Sequence, residues 1–155
     1  MYVFDNSPFS VLFKNYYRKR FPTLWKNFDQ LVASGDIVST KEVLREIEDS
    51  SDATLRDWAK KNKDLFPIPS AEEGIFVGKI YKVSHFQQNL EQRKLLKGGH
   101  NADPFVIAKA AVEKKCVVSM EKLKPNGAKI PNICAHFSIR CIDLEKFMEE
   151  QGWTF

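Results

Sequence analysis

Met1-Tyr2-Val3-Phe4-Asp5-Asn6-Ser7-Pro8 is the stretch whose reading decides the fold. Four apolar residues end in an acid, and a Ser-Pro pair follows at once. That order describes a buried strand emptying directly into a helix. Ser7 is expected as the N-cap and Pro8 as the first helical residue, where a missing N–H costs nothing. Asp5 is thereby put at the C-terminal edge of the first strand, the edge at which open α/β sheets hold ligands. A charge there needs a partner, and a metal cation is the commonest one that also does chemistry.

Outward from this stretch the elements alternate. Phe9–Arg20 is expected as a helix, and Phe21-Pro22 starts a second, with Leu24, Trp25, Phe28, Leu31 and Val32 at helical spacing. Gly35 ends it, and Asp36–Ser39 reads as a short strand. Ser39-Thr40-Lys41-Glu42 matches a capping box opening a helix to about Asp49, and Asp52–Asn62 is another helix. Pro67 and Pro69 break the chain, and Ser70-Ala71-Glu72-Glu73 is a second capping box opening a longer helix. A polar helix, Leu90–Lys97, is expected to stop at Gly98-Gly99. Asp103-Pro104 opens a helix apolar almost all round, which must be buried. Cys116–Ser119 and Ile139–Ile142 read as strands, with a short helix between them after Pro131, and Asp143 caps a last helix ending at Gly152. Strands separated by helices imply a parallel sheet between two helix layers.

A length of 155 residues with 43% hydrophobic content suits one globular domain over residues 1–155. Twelve Phe supply much of its core. No apolar stretch is long enough to span a bilayer, and the start lacks the basic-then-apolar order of a signal peptide. A cytoplasmic protein with no membrane partner is therefore expected. Of the three cysteines, Cys116 and Cys141 sit in apolar segments where a thiol packs as a small hydrophobe. A zinc site from Cys134, His136 and Cys141 would lack the paired C-x-x-C spacing. The net charge of +4 favours a polyanionic partner without requiring one. Basic residues cluster at Lys14, Arg18, Lys19 and Arg20, at Lys60, Lys61 and Lys63, and at Arg93, Lys94 and Lys97. Each cluster alone reads as a solvated helix face. A carboxylate-lined site between them would make nucleic acid the natural substrate. His85, His100 and His136 suggest no role.

Four carboxylates fall where this architecture gathers chain ends. Asp5 follows the first strand, Glu46 lies on the helix after the second, Asp103 begins the buried helix, and Glu121 comes two residues after Ser119 at a strand exit. Such a cluster cannot stay ionised without cations, because like charges repel strongly in a low dielectric. Mg²⁺ or Mn²⁺ would relieve the repulsion and lower the pKa of water for attack on a phosphodiester. Each acid also has a plainer reading: Asp103 as an N-cap, Glu46 as a solvated helix residue, Glu121 as a loop acid beside Lys122. Asp5 is the hardest to explain so, since Ser7 already serves as cap.

The order Val3-Phe4-Asp5-Asn6-Ser7, Val43-Leu44-Arg45-Glu46-Ile47, Ala102-Asp103-Pro104-Phe105-Val106-Ile107-Ala108 and Val117-Val118-Ser119-Met120-Glu121 resembles the PIN domain. The closest likeness is to a VapC-like subgroup often left as a domain of unknown function, and Lys129–Cys134 with Arg140–Leu144 shares it. The resemblance covers the whole chain. It implies a three-layer α/β/α PIN-like domain with a central parallel sheet and metal-dependent cleavage of single-stranded RNA. It also implies a toxin role beside a small cognate antitoxin protein, with a homodimer as a family expectation. Carried over by position, Asp5, Glu46, Asp103 and Glu121 are the catalytic and Mg²⁺- or Mn²⁺-holding acids. Ser7 and Ser119 would bind the carboxylates or the substrate phosphate. Lys and Arg around the cleft would hold the strand. Tyr16 or Tyr17 could stack on bases, although packing is the plainer reading for both. Glu replaces the commoner Asp at the fourth acid, and Asn6-Ser7 replaces the commoner Thr-Asn.

Two other readings compete. A phosphatase using Asp5 as covalent nucleophile would want Asp-x-Asp, and Ser7 stands at the third position. A catalytically degenerate PIN-fold module that only binds RNA or a protein partner is the alternative from another class.

Overall fold

The computed structural model describes residues 1–96 and 101–155, and the side chains of all of these except 92–96. The expected helix stop at Gly98-Gly99, Lys97 of the third basic cluster and His100 lie outside that description, as do the side chains of Arg93 and Lys94.

β1 (Tyr2–Phe4) is buried at all three positions. A strand apolar on both sides has no face for water, so it takes an interior place in a parallel sheet. It pairs in parallel with β2 (Ile37–Val38) on one side and with β3 (Cys116–Val118) on the other. β4 (Cys141–Ile142) adds beyond β3, giving the all-parallel order β2-β1-β3-β4. Phe4 is in register with Val118, and Val118 with Ile142, so the strands' C-terminal ends share one edge.

The helices are α1 (Asn6–Asn15), α2 (Pro22–Ala33), α3 (Lys41–Glu48), α4 (Ala53–Lys61), α5 (Ala71–Lys82), α6 (Gln87–Leu96), α7 (Asp103–Glu113), α8 (Ile130–His136) and α9 (Leu144–Glu150). Side chains alternate across a strand, so Tyr2 and Phe4 face the same way. The Phe4 ring meets Phe9 of α1, Phe28 of α2 and Phe147 of α9, at centroid distances of 5.3, 6.2 and 5.1 Å. These three helices therefore cover that face of the sheet. α7 packs against β1 and carries α5 and α8 with it. The result is a three-layer α/β/α fold. As its all-round apolar sequence requires, α7 buries seven residues, Asp103 and Lys109 among them. No helix among the described residues is long and apolar enough to cross a membrane.

Several expected boundaries move. α1 begins at Asn6 with Asp5 as its N-cap residue, so Ser7 is not the cap and Pro8 sits in the third helical position. Pro is tolerated there because the first four helical N–H groups have no intrahelical partner anyway. α1 also stops at Asn15 instead of Arg20. The Trp25 indole N–H donates to the Tyr16 carbonyl at 2.6 Å, and the Tyr17 carbonyl accepts from the Arg20 and Phe21 N–H groups, turning the chain over 17–20. The Ser39 capping box does not form: Ser39 Oγ donates to the Phe4 carbonyl at 2.7 Å, and Thr40 takes the N-cap position without a side-chain bond. The Ser70–Glu73 box forms with both of its reciprocal bonds. Asp103 is the first residue of α7, not its cap, which is Ala102.

Candidate functional site

The parallel register sends the chain out of β1 and β3 side by side. The Asp5 N–H donates to the Val118 carbonyl at 3.0 Å, extending the ladder one residue past the strand. In the order β2-β1-β3-β4 the connections leave β1 in one direction and reach β3 in the other, so the topological switch point lies between these two strands. Asp5 and Ser119 stand at that point.

Asp5 is 3% exposed, and its Oδ2 accepts from both Ser7 Oγ at 3.1 Å and Ser119 Oγ at 3.2 Å. Both hydroxyls are themselves held. Ser7 Oγ accepts from the Met120 N–H at 2.9 Å, and Ser119 Oγ from the Glu121 N–H at 3.2 Å. Freed from capping, Ser7 thus ties α1 to the loop after β3. Glu121 is half-buried, and its Oε2 accepts from the Ile130 N–H at 2.9 Å, in the first turn of α8.

Glu46 and Asp103 form the other half. Glu46 is 6% exposed, and its Oε2 accepts from the Ala102 N–H at 3.4 Å, beside Asp103. It is not the solvated helix residue its charged neighbours suggest; Glu42 is the surface partner, 3.4 Å from Arg45. Asp103 is fully buried and accepts from Asn89 Nδ2 at 2.9 Å. The same Asn89 amide donates to the Ala128 carbonyl at 3.0 Å, two residues before Ile130. The amides of Asn89 and Asn101 are joined at 2.9 Å, and Asn101 Nδ2 also donates to Tyr81 Oη at 3.1 Å. Burial and then the charge of Asp103 push the Tyr81 phenol up to about 12.

Asp5, Glu121 and Asp103 are thus each tied to a segment within 119–130, and Glu46 to the residue before Asp103. The segment 128–130 links Asp103, through Asn89, to Glu121 and so to Asp5. Asn89 and Asn101 are the residues that sequence reading missed. Asn is ordinarily a surface residue, and only its burial between two carboxylate-bearing elements marks Asn89. An Asn two places before an acid at a helix start was the available signal for Asn101.

The donor set is oxygen throughout, carboxylates with hydroxyls, which suits a hard divalent cation such as Mg²⁺ or Mn²⁺. Buried carboxylates gathered at one edge are also the arrangement that a cation relieves. Among the described residues, however, no three His, Cys, Asp or Glu side chains stand close enough to share one ion. That finding covers zinc as well. Cys134 and Cys141 lie together, and their sulfur hydrogen bond pushes the Cys134 thiol up and draws the Cys141 thiol down. His136 instead packs its ring against Phe86 and Phe137. Cys116 and Cys134 are buried, Cys141 is half-buried, and all three are free thiols.

Comparison with characterised proteins, and with solved structures, returns no match. A family model does match, over residues 2–155, and it spans the strand-to-acid turn, the buried helix and every element of the network above. The chain belongs to that family, described as a domain of unknown function, DUF4411.

Proposed function

We propose that this chain is a PIN-type endoribonuclease that hydrolyses phosphodiester bonds of single-stranded RNA with Mg²⁺ or Mn²⁺, and that it acts as the toxin of a toxin–antitoxin pair. The observation that supports this reading is the set of bonds that ties Asp5 through Ser119 to the Glu121 backbone, Glu121 to Ile130, Asp103 through Asn89 to Ala128, and Glu46 to the N–H of the residue before Asp103. Asp5, Glu46 and Asp103 would hold the ion by drawing closer together than they stand here, with Glu121 contributing to a second ion or positioning water. When bound, the ion would offset charge developing on the phosphate and lower the pKa of water. Ser7 and Ser119 orient Asp5, and the Ser119 hydroxyl couples it to the backbone of Glu121. Asn89 fixes one oxygen of Asp103 by donating to it.

The test is cleavage of labelled single-stranded RNA by the purified chain. Products that appear with Mn²⁺ or Mg²⁺, vanish with chelator and are lost in Asp5→Asn while RNA binding survives support the reading. A second reading, a degenerate PIN-fold module that only binds RNA or protein, draws on a specific observation. Asp5 and Glu121 already accept from protein donors, and no three described acids converge on one point. RNA binding without cleavage in either metal would select it.

A further inference from the structure

Two grooves meet at Tyr16. The first, about 780 Å³, is walled by Val11, Tyr16, Met120, Met148 and Trp153. It adjoins the acid edge, because the Met120 backbone is bonded to Ser7, and Ser7 and Val11, four residues apart, share a face of α1. The second, about 580 Å³, is lined by Tyr16, Tyr17, Arg18, Lys19 and Arg20 with Trp25 behind them. α1 is about 15 Å long at 1.5 Å per residue, so the second groove begins about that far from Ser7. At the 3.4 Å rise of a stacked strand this corresponds to about four nucleotides.

The aromatic residues here divide sharply. Phe13, Tyr16 and Trp25 are committed to ring contacts with Trp58, Phe21 and Phe28 respectively. Tyr17 is 64% exposed and makes no ring contact among the described residues. Its carbonyl holds the turn by accepting from Arg20 and Phe21, which keeps Tyr17, Lys19 and Arg20 on one short rigid loop. Arg18 is spent internally, on Asp29 at 2.9 Å and over the Trp25 ring at 4.2 Å. Lys19 and Arg20 are exposed and make no ion pair among the described residues. An exposed ring flanked by two uncommitted cations is the chemistry that binds a single strand, the ring stacking on a base and the cations meeting phosphates.

The geometry points to a single-stranded nucleic-acid track that runs from the acid edge along α1 to a docking platform of Tyr17, Lys19 and Arg20. Glu145 and Glu149 also line the first groove, Glu149 paired with Lys146 at 3.0 Å. Carboxylates there repel phosphates, so the first groove takes bases and the basic turn anchors the backbone beyond it. The inference rests on the nuclease reading for the identity of the strand as RNA, and assigns that site its distal contacts.

The test uses the full chain and a labelled, unstructured RNA of about 12 nucleotides, with Ca²⁺ in place of Mn²⁺ to hold the site's charge during anisotropy titrations. Tyr17→Ala is expected to weaken binding about 5-fold or more, the effect of losing one stacked base, while Tyr17→Phe retains wild-type affinity. The pair Lys19→Ala with Arg20→Ala weakens binding and flattens its salt dependence. These positions are exposed, and circular dichroism checks that the variants fold. In cleavage with Mn²⁺, Tyr17→Ala raises KM for the long RNA, leaves kcat unchanged, and leaves cleavage of a trinucleotide untouched. Unchanged RNA affinity in both variants overturns the track, and a protein partner lost with Tyr17→Ala while RNA affinity holds overturns it too. Binding that depends on Tyr17 without cleavage in any metal keeps the track and removes the nuclease. Cleavage indifferent to all three residues does the reverse.

Discussion

Replacing Asn89 with Leu would test the polar network at its hub. Asn89 is 2% exposed and, among the described residues, its side chain makes three hydrogen bonds: to Asp103 at 2.9 Å, to the Ala128 carbonyl at 3.0 Å and with Asn101 at 2.9 Å. A bond to a charged group contributes about 1.5–3 kcal/mol, and each neutral one about 0.5–1.5, so the sum is about 2.5–6 kcal/mol. Leu has similar reach and adds apolar surface, which recovers part of the loss. The expected destabilisation is therefore about 3 kcal/mol, or about 6–12 °C in Tm for a chain of this size. Urea unfolding followed by circular dichroism measures it, with exposed Gln88→Leu as a control expected within about 0.5 kcal/mol of wild type. Because Asn101 shares the network, the double variant with Asn101→Leu should be non-additive by about 0.5 kcal/mol or more. An Asn89→Leu protein within about 1 kcal/mol of wild type would refute the claim that Asn89 tethers Asp103 and segment 128–130.

Two further outcomes follow from the same edge. Induced expression of the chain alone should arrest bacterial growth, Asp5→Asn should abolish the arrest, and a small neighbouring-gene product should co-purify with the wild-type chain; solitary expression with no growth defect counts against the toxin role. Tyr81, raised to about 12 by burial and Asp103, binds its proton more tightly folded than unfolded. Its contribution to stability is complete below about pH 10, where the unfolded phenol titrates, and is lost as pH rises through about 12. Tyr81→Phe should flatten stability between those two pH values in chemical unfolding, and an unaltered slope would show that Tyr81 is not the titrating group.

What the sequence alone determined is what depends on neighbours three or four residues away. The Ser70–Glu73 capping box and the Asp143 cap each close within one helical turn, and both form. An apolar run ending in Asp5 made a central strand because no polar side was left for water, and the all-round apolar α7 was buried for the same reason. Long-range partners were decided elsewhere. Ser39 had a local capping role open to it but bonds the Phe4 carbonyl, 35 residues away in the chain. Ser7 exchanged its capping role for Met120 and Asp5, and α1 ended early because Trp25 captured the Tyr16 carbonyl. Asn89 reaches Asp103 and Ala128, 14 and 39 residues away, and nothing near it in the chain signals either. Strand order belongs to the same class. Only the packing of helices on both faces sets β1 beside β3, and only that adjacency lets the Ser119 hydroxyl join Asp5 to the backbone of Glu121.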